Sequence, residues 1–278
     1  MSWRNSVCMS IGAVSCPNAN SLVQEITKER LSPIDDFYLA TNPTLTRVNP
    51  EFVEKYGQEV VGLLFVGLIS ATENYFRDIF GAILTTCPIS QAYAADEKVQ
   101  LGSLLWSQGG LQNRSAFEFL AFSSARSIKD TVKNFVDHQI RPKGNFDLML
   151  AEYDKLCELR HAVVHSAHIV AGKNALKLGL QKTKGVLKVT LEYPELQAAG
   201  SVCTALVQSA NNELYEALVK RWAQDWRQLP SWEPAKEELE FKKIVSAFLS
   251  KRDQSNGTIT NSLRLKTLIS QIKADFNL

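Results

Sequence analysis

The sequence predicts an all-α fold, a helical bundle that carries one inserted β-hairpin and an extra C-terminal helical tail. Two observations lead to this prediction. Residues 51–84 have apolar side chains on nearly every side of a helix, which is typical of the central helix of a bundle. After them, apolar residues recur at helical spacing in several segments that end at proline or glycine.

The positions of proline divide the chain into three regions. Prolines interrupt residues 1–50, so we expect an irregular N-terminal extension with one short helix over residues 21–30. Residues 51–230 are expected to form the helical domain, which Pro230 closes. Residues 231–278 are expected to be a tail of one or two amphipathic helices. The helices predicted within the domain are 51–84, 115–122, 124–139, 146–170 and 194–226.

The period of the apolar residues changes to two within residues 176–191. Leu176, Leu178 and Leu180 alternate with polar residues or glycine, and a second alternation follows a turn that contains Gly185. Such a pattern is typical of a β-hairpin. We therefore predict that residues 176–191 form a hairpin inserted into the bundle.

Composition and charge narrow the class of protein. The chain has 278 residues and a formal net charge of +2, so any surface that binds nucleic acid has to be a local one. The most apolar run, residues 60–69, is too short to cross a bilayer, and no membrane partner is expected. The five cysteines, an odd number without Cys-x-x-Cys spacing, favour free thiols and a cytoplasmic protein.

The segment 146–170 contains three of the four histidines of the chain. On a helical wheel, His161, His165 and His168 fall on one side, and Arg160 lies at the edge of that side. The other side is apolar and is expected to face the bundle. It consists of Leu156, Leu159, Val163 and Val170.

Histidine and arginine side chains together suit one reaction in particular. An imidazole can take or give a proton near neutral pH, and a guanidinium can hold a phosphate through two parallel hydrogen bonds. Arg160 and a neighbouring histidine therefore suit the attack of a ribose 2′-OH on its own phosphodiester, with the arginine stabilising the charge of the transition state. This reaction needs no metal and no other cofactor.

Two other interpretations of the histidine side stay open. His161 and His165 have the four-residue spacing of zinc ligands on a helix, and Glu158 or Asp154 could add a carboxylate. The protein would then be a metal hydrolase, although the sequence has no His-Glu-x-x-His motif. Alternatively, the histidines are ordinary surface residues, which is the common situation for a single histidine on a helix.

The stretch Arg-His-Ala-Val-Val-His at residues 160–165 resembles the R-x4–6-H motif of HEPN (higher eukaryote and prokaryote nucleotide-binding) domains. In that motif a polar residue follows the arginine, and His161 occupies this position. Residues 70–80 are similar to the first long helix of prokaryotic HEPN families of the RiboL-PSP-HEPN and MAE types. Residues 122–129 are similar to their middle helix, and the resemblance covers roughly residues 50–226.

This resemblance implies a fold, an assembly and an activity. The fold is a bundle of four to five helices that forms a homodimer, in which the two motif helices face each other across one composite site. The activity is that of a metal-independent endoribonuclease, a toxin or an anti-phage defence effector that cuts tRNA or mRNA. The resemblance also allows for an antitoxin or another defence-system protein as a partner. The alternative is a non-catalytic HEPN module that binds a protein or a nucleotide.

Carried over by position, the resemblance assigns roles to five residues. Arg160 and His165 become the catalytic pair. His161 and His168 become supporting groups, and Glu73 matches an acidic position that could orient the arginine or a histidine. Some HEPN toxins are controlled by AMP transfer to a tyrosine two residues after the motif histidine. That position is alanine in this chain, so we do not expect this control.

Lysines of the predicted hairpin could line a path for RNA, because phosphate contacts supply much of the affinity of proteins for nucleic acids. An ordinary solvated hairpin face is the simpler interpretation of the same residues. The lysines concerned are Lys177, Lys182, Lys184 and Lys188.

Overall fold

The structure is a computed structural model that describes residue 9 and residues 12–25, 31–107 and 112–278. The chain divides into two compact units, Met1–Leu31 and Ser32–Leu278. In the described part of the first unit, the one helical element is the short 3-10 helix Ala19–Ser21. The helix expected over residues 21–30 is not present in the described part of that range, and residues 26–30 lie outside it.

The second unit consists almost entirely of α-helices, which confirms the all-α prediction. No β-strand occurs in the part of this unit that the structure describes. The helices are α1 (Pro33–Arg47), α2 (Pro50–Thr86), α3 (Pro88–Ala94), α4 (Leu101–Leu105), α5 (Gln112–Ser115), α6 (Ala125–Val136), α7 (Asn145–His165), α8 (Gly172–Lys177), α9 (Tyr193–Gln224), α10 (Glu237–Phe248), α11 (Lys251–Ser255) and α12 (Leu265–Asp275).

The long helix α2 is the centre of the second unit, and it packs against α1, α7 and α9. Pro50 lies in its first turn, and the Asn49 side chain caps that turn by accepting a hydrogen bond from the Phe52 N–H at 2.8 Å. A kink occurs at Gly57, whose φ of 80° is accessible to glycine. By length and composition α2 could cross a membrane, but 56% of its most apolar window is buried within the chain, as in a core helix.

Only part of the surface of α2 is buried, although its sequence is apolar on nearly every side. Val61 is completely buried, whereas Leu63 is 69% exposed. The sequence also predicts that neighbours approach closely at two glycines. At Gly62 this is confirmed, because a Cβ there would lie 3.4 Å from the Val163 side chain of α7. At Gly67 it is wrong, because nothing lies within 4 Å of such an atom.

The helices α2 and α7 run antiparallel. Phe76, in the second half of α2, stacks on Phe146 at the start of α7, with ring centroids 6.4 Å apart. Gly62, in the first half of α2, lies against Val163 near the end of α7. The helix α9 packs against both, so these three helices enclose the centre of the core.

The irregular extension expected over residues 1–50 is corrected by the structure, because its last part is the helix α1. Ser32 caps this helix by accepting a hydrogen bond from the Asp35 N–H, and a proline follows at the first helical position, where no intrahelical N–H bond is lost. Phe37 and Tyr38 of α1 are buried in the core. The region is therefore part of the second unit rather than a peripheral extension.

The β-hairpin predicted over residues 176–191 is absent, and this prediction is corrected in two ways. The first half is not a strand, because Leu176 belongs to α8 and the following residues form a turn. Leu176 and Leu180 are 81% and 43% exposed. Since no sheet buries one side of this segment, its alternation of leucines does not mark a strand.

The second half of that segment is extended, but it pairs with the chain that follows α7. Ile169 and Lys188 form an isolated antiparallel bridge, and the Val189 N–H donates a hydrogen bond to the His168 carbonyl at 2.7 Å. Val189 and Leu191 are buried. The alternation of apolar residues here reflects the burial of one side of an extended chain on the core.

The C-terminal tail is bound to the bundle at the beginning of α10 and just after its end. The ring of Phe241 in α10 contacts that of Trp222 in α9, with centroids 4.5 Å apart. The buried Asp35 carboxylate of α1 accepts hydrogen bonds from the Ser250 hydroxyl at 2.6 Å and the Lys251 N–H at 2.9 Å. The tail therefore belongs to the same compact unit as the bundle.

A charged cluster centred on Glu237 joins the beginning of α10 to α12. Its carboxylate accepts hydrogen bonds from Arg227, after α9, and from Lys273 of α12, the latter at 2.6 Å. Burial raises the pKa of Glu237, but the hydrogen bonds from Lys273 and Arg227 outweigh burial, so that the pKa lies below its usual value. The ionised carboxylate is therefore the form that stabilises the fold.

Replacing this carboxylate in Glu237→Gln is expected to lower the free energy of unfolding by about 1–2 kcal/mol at pH 7. The folded pKa is lower than the unfolded one, so the contribution of Glu237 is present above an unfolded pKa of about 4.3 and is lost as the pH falls through the folded value. Urea unfolding of both proteins at pH 7 and pH 3 measures this difference, which should shrink at pH 3.

The neighbouring Glu238 provides a matched control. It is exposed and has no ion pair with any residue that the structure describes. Glu238→Gln should change the free energy of unfolding by less than about 0.5 kcal/mol. A loss in Glu237→Gln that is equally large at both pH values would contradict the role given to its charge.

Candidate active site

The helix α7 ends at His165, three residues before the last histidine of the predicted side. The Ser166 N–H still donates to the Ala162 carbonyl at 3.1 Å, and the chain then reverses at Ala167 and His168, whose φ values are 46° and 70°. His168 therefore does not follow the helical wheel. The prediction of three histidines on one side of a helix is wrong for this residue.

The other two histidines of that side are neighbours. The rings of His161 and His165 lie with their centroids 4.8 Å apart at an interplanar angle of 51°. Both residues are exposed. Neither ring has a hydrogen bond to any part of the protein that the structure describes, so their nitrogen atoms are free to meet a ligand.

Arg160 precedes His161 on α7 and is partly buried. Its Nε atom is inaccessible to solvent and has no hydrogen-bond partner, and its guanidinium forms no ion pair within the described part of the chain. A cation without a protein counter-ion suits the binding of an anionic group. Because Arg160 and His165 are five residues apart, they point about 140° apart around the helix axis.

The side of α7 that carries these residues is the continuation of its core side. Phe146, Leu150, Tyr153 and Cys157 are buried, as the sequence predicts for the thiol. One turn and two turns after Cys157, the same side carries His161 and then Val164, which is 45% exposed. The last two turns of α7 thus present a partly apolar side that nothing in the described chain covers.

Glu73 lies on α2 but does not contact Arg160. Its carboxylate is buried and accepts a hydrogen bond from Arg77, one turn later on the same helix, at 3.1 Å. Its charge adds to burial, the main cause, in raising the pKa of the Tyr153 hydroxyl and the Cys157 thiol. Glu73 therefore lies level with the turn of α7 that precedes Arg160, and the expected orienting contact is not present.

His168 packs onto α2 instead of joining the other histidines. Its Nε2 atom is buried without a hydrogen-bond partner, and it would lie 2.7 Å from a Cβ added to Gly62. Its backbone is held on both sides, because its N–H donates to the Ala162 carbonyl at 3.0 Å and its carbonyl accepts from Val189. The close approach predicted at Gly62 thus admits a histidine ring as well as the side chain of Val163.

Two of the four lysines proposed to meet RNA are paired with carboxylates. Lys177 forms an ion pair with Glu158 of α7, and the hydrogen bond that Lys177 donates to this carboxylate raises the pKa of Lys177. Lys188 lies 3.6 Å from the carboxylate of Glu59. The pKa of Glu59 is lowered, first by a hydrogen bond from its own backbone N–H and next by the charge of Lys188.

The remaining lysines are different. Lys182 and Lys184 are exposed, and no ion pair joins them to a residue within the described ranges. Their charges are therefore available to a phosphate backbone. Of the predicted set of lysines, these two are the ones that could still meet RNA without losing a protein partner.

Asn174 is a residue of this region that sequence reasoning missed. It is buried, and its side-chain amide donates to the Glu158 carbonyl at 3.3 Å. Asn174 and Lys177 are three residues apart on α8, so both reach Glu158 from one side of that helix. Their spacing is the signal that could have identified them, had the segment been interpreted as a helix.

The metal interpretation needs a third ligand near His161 and His165. Among the described residues, no group of three or more histidine, cysteine, aspartate or glutamate side chains converges closely enough to hold a metal ion. Glu158 is already paired with Lys177. All four cysteines that the structure describes have free thiols, and three of them are buried.

Comparison with known proteins yields no relative: no family model, no curated protein and no solved structure matches this chain. The resemblance to HEPN domains therefore depends on the sequence motif alone. The structure brings His161 and His165 together at the end of α7 that also carries Arg160, and it pairs Glu73 with Arg77 and packs His168 against Gly62.

The contact between Gly62 and His168 can be tested with two substitutions in α2. In an exposed helix position, alanine is more stable than glycine by roughly 0.5–1 kcal/mol, so Gly67→Ala should raise the free energy of unfolding by that amount. Gly62→Ala should instead lower it by about 1–3 kcal/mol, because the new methyl group collides with the His168 ring. Urea denaturation measures both. Equal stabilisation by the two substitutions would show that the ring is not held there.

Proposed function

We propose that this chain is a metal-independent endoribonuclease of the HEPN type, which cuts RNA by attack of a ribose 2′-OH and whose active site lies at a homodimer interface. The observation that carries the proposal is the group formed by Arg160, His161 and His165. A guanidinium without a counter-ion in the described chain belongs to the same end of α7 as two exposed imidazoles in mutual contact. A phosphodiester offers the negative charge and the transferable protons that such a group can use.

The proposed reaction divides its work between these side chains. Arg160 binds the scissile phosphate and stabilises the additional negative charge that develops as the 2′-oxygen adds to phosphorus. His165 transfers a proton at one of the two reacting oxygen atoms. The products are a 2′,3′-cyclic phosphate and a 5′-hydroxyl, and neither a metal ion nor a cofactor takes part.

A homodimer is proposed because one chain makes an incomplete site. Arg160 and His165 point about 140° apart on one helix, so they cannot approach one phosphate from the same side with ease. A symmetric copy of α7 from a second chain would bring a second arginine and a second histidine to the site between the two chains. Val164 and Ile169, which are 45% and 46% exposed next to the histidines, would then be buried between the two chains.

The biological role that we propose follows from the family resemblance. HEPN ribonucleases of this kind act as toxins or as effectors of defence against phages, and they cut tRNA or mRNA in the cytoplasm. The same role implies control by an antitoxin or by another protein of a defence system. The exposed lysines Lys182 and Lys184 would add phosphate contacts at the edge of the site.

Substitutions in the motif test this function. Arg160→Ala and His165→Ala should each lower the rate of RNA cleavage by about 100-fold or more, because each removes a group that acts in the transition state. Lys155→Ala, at an exposed position on the other side of α7, should leave the rate unchanged. The measurement is total RNA after controlled expression and after incubation with purified protein, with mapping of new ends and detection of 2′,3′-cyclic phosphates.

Three outcomes would contradict the proposal, each in a different way. Intact RNA after exposure to the wild-type protein, both in cells and in vitro, would favour a non-catalytic binding module. Cleavage that chelators abolish and zinc restores would favour a metal hydrolase. Full activity of a protein that sedimentation shows to be monomeric would remove the dimer from the proposal while leaving the ribonuclease.

A further inference from the structure

We infer that His161 is a second proton-transfer residue of the proposed reaction, so that one chain supplies both the general base and the general acid. This inference rests on the proposed ribonuclease function and deepens it. The resemblance to HEPN domains makes His161 only a supporting polar group next to the catalytic pair. The position and the exposure of its ring indicate that His161 takes part in proton transfer itself.

The first argument is the position of His161 between the two residues of the motif. Around the axis of α7, His161 lies about 100° from Arg160 and about 40° from His165, whereas the latter two are about 140° apart. Its ring contacts that of His165 at 4.8 Å between centroids. In direction around the helix, His161 therefore lies between Arg160 and His165 and is the histidine nearer to Arg160.

The second argument is that His161 supports nothing in the fold. A histidine with a structural task has a partner, as His138 has in the carboxylate of the buried Glu213, 2.9 Å from its Nε2. His168 is held by packing instead, because its Nε2 is buried against Gly62 of α2 without a hydrogen-bond partner. His161 is exposed, and neither of its ring nitrogens meets a hydrogen-bonding group in the part of the chain that is described. Both nitrogens are available to a substrate.

The third argument comes from the reaction itself. As the O2′–P bond forms, a base removes the proton from the 2′-OH, and as the P–O5′ bond breaks, an acid gives a proton to the 5′-oxygen. These oxygen atoms lie on opposite sides of phosphorus, so a single ring cannot serve both in one step. Two imidazoles on successive turns, one neutral and one protonated, can do so. The base gains one proton and the acid loses one, and exchange with water restores both.

The test uses an oligoribonucleotide that contains the cleavage site mapped for the wild-type protein. The pH dependence of the cleavage rate should be bell-shaped for the wild type, with one limb for the base and one for the acid. His161→Asn should lower the maximum about 100-fold or more and should remove one limb. Lys155→Asn is the matched control on α7 and should keep the rate and both limbs.

A modified substrate then assigns the two roles. In the same oligonucleotide, sulfur replaces the bridging 5′-oxygen at the scissile linkage. A thiol is a much stronger acid than an alcohol, so this leaving group needs no proton from the enzyme. The variant that lacks the general acid should cut the sulfur substrate at nearly the wild-type rate, and the variant that lacks the base should not. Of His161→Asn and His165→Asn, one should therefore be rescued and the other should not.

The outcomes separate this inference from the function on which it rests. If Arg160→Ala and His165→Ala are inactive while His161→Asn keeps its rate and both limbs, the ribonuclease stands and this inference is wrong. Failure to rescue either histidine variant would also overturn it. If the urea midpoint of His161→Asn is lower than that of the wild type, the variant has a folding defect. The pH profile is then measured on His161→Gln, which has a longer side chain. If no RNA is cut by the wild-type protein, the proposed function itself fails.

Discussion

The antiparallel contact between α2 and α7 sets the position of every group around the candidate site. It begins where Phe76 stacks on Phe146 and ends where Gly62 lies against Val163. Between these points the core side of α7 is covered, and beyond Cys157 the same side emerges into solvent. His161 is therefore exposed on the side of α7 that faces away from the contact of Val163 with Gly62, and it is carried by a helix rather than by a loop. A site carried by a helix that is buried in its first half is held rigidly, as catalysis by proton transfer requires.

The turn after α7 is the second constraint, and the backbone conformation of its residues is unfavourable in itself. Ala167 and His168 both adopt left-handed backbone conformations, which cost roughly 1–2 kcal/mol for each non-glycine residue. Hydrogen bonds from His168 to Ala162 and from Val189 to His168 offset this cost. The turn directs the extended residues 187–191 back along the core, where Val189 is buried. It also removes His168 from the side of the helix that carries the other two histidines.

Sequence reasoning predicted what depends on local pattern and missed what depends on distant contacts. The helix at 146–170 was predicted because its apolar residues keep the helical period, and the contact of His161 with His165 follows from that period alone. Its end was predicted five residues too late because neither Ala167 nor His168 is a residue that marks a left-handed turn. The alternation in residues 176–191 predicts a hairpin wrongly, because a short exposed helix followed by an extended chain can give the same pattern. The pairing of Glu73 with Arg77 could not be distinguished from a pairing with Arg160 without the distance between the helices.

The distribution of charge would make the proposed binding of RNA by a single chain weak. Two of its candidate lysines are neutralised by Glu158 and Glu59, and the net charge of the chain is only +2. Affinity for a phosphate backbone grows with the number of phosphates that cations contact. If a second copy of α7 completes the proposed site, it also doubles the number of unpaired cations at that site. Arg160 of each chain is one of these cations. Dimerisation would then add a second arginine to the histidine pair of each chain and raise the electrostatic affinity for RNA at the same time.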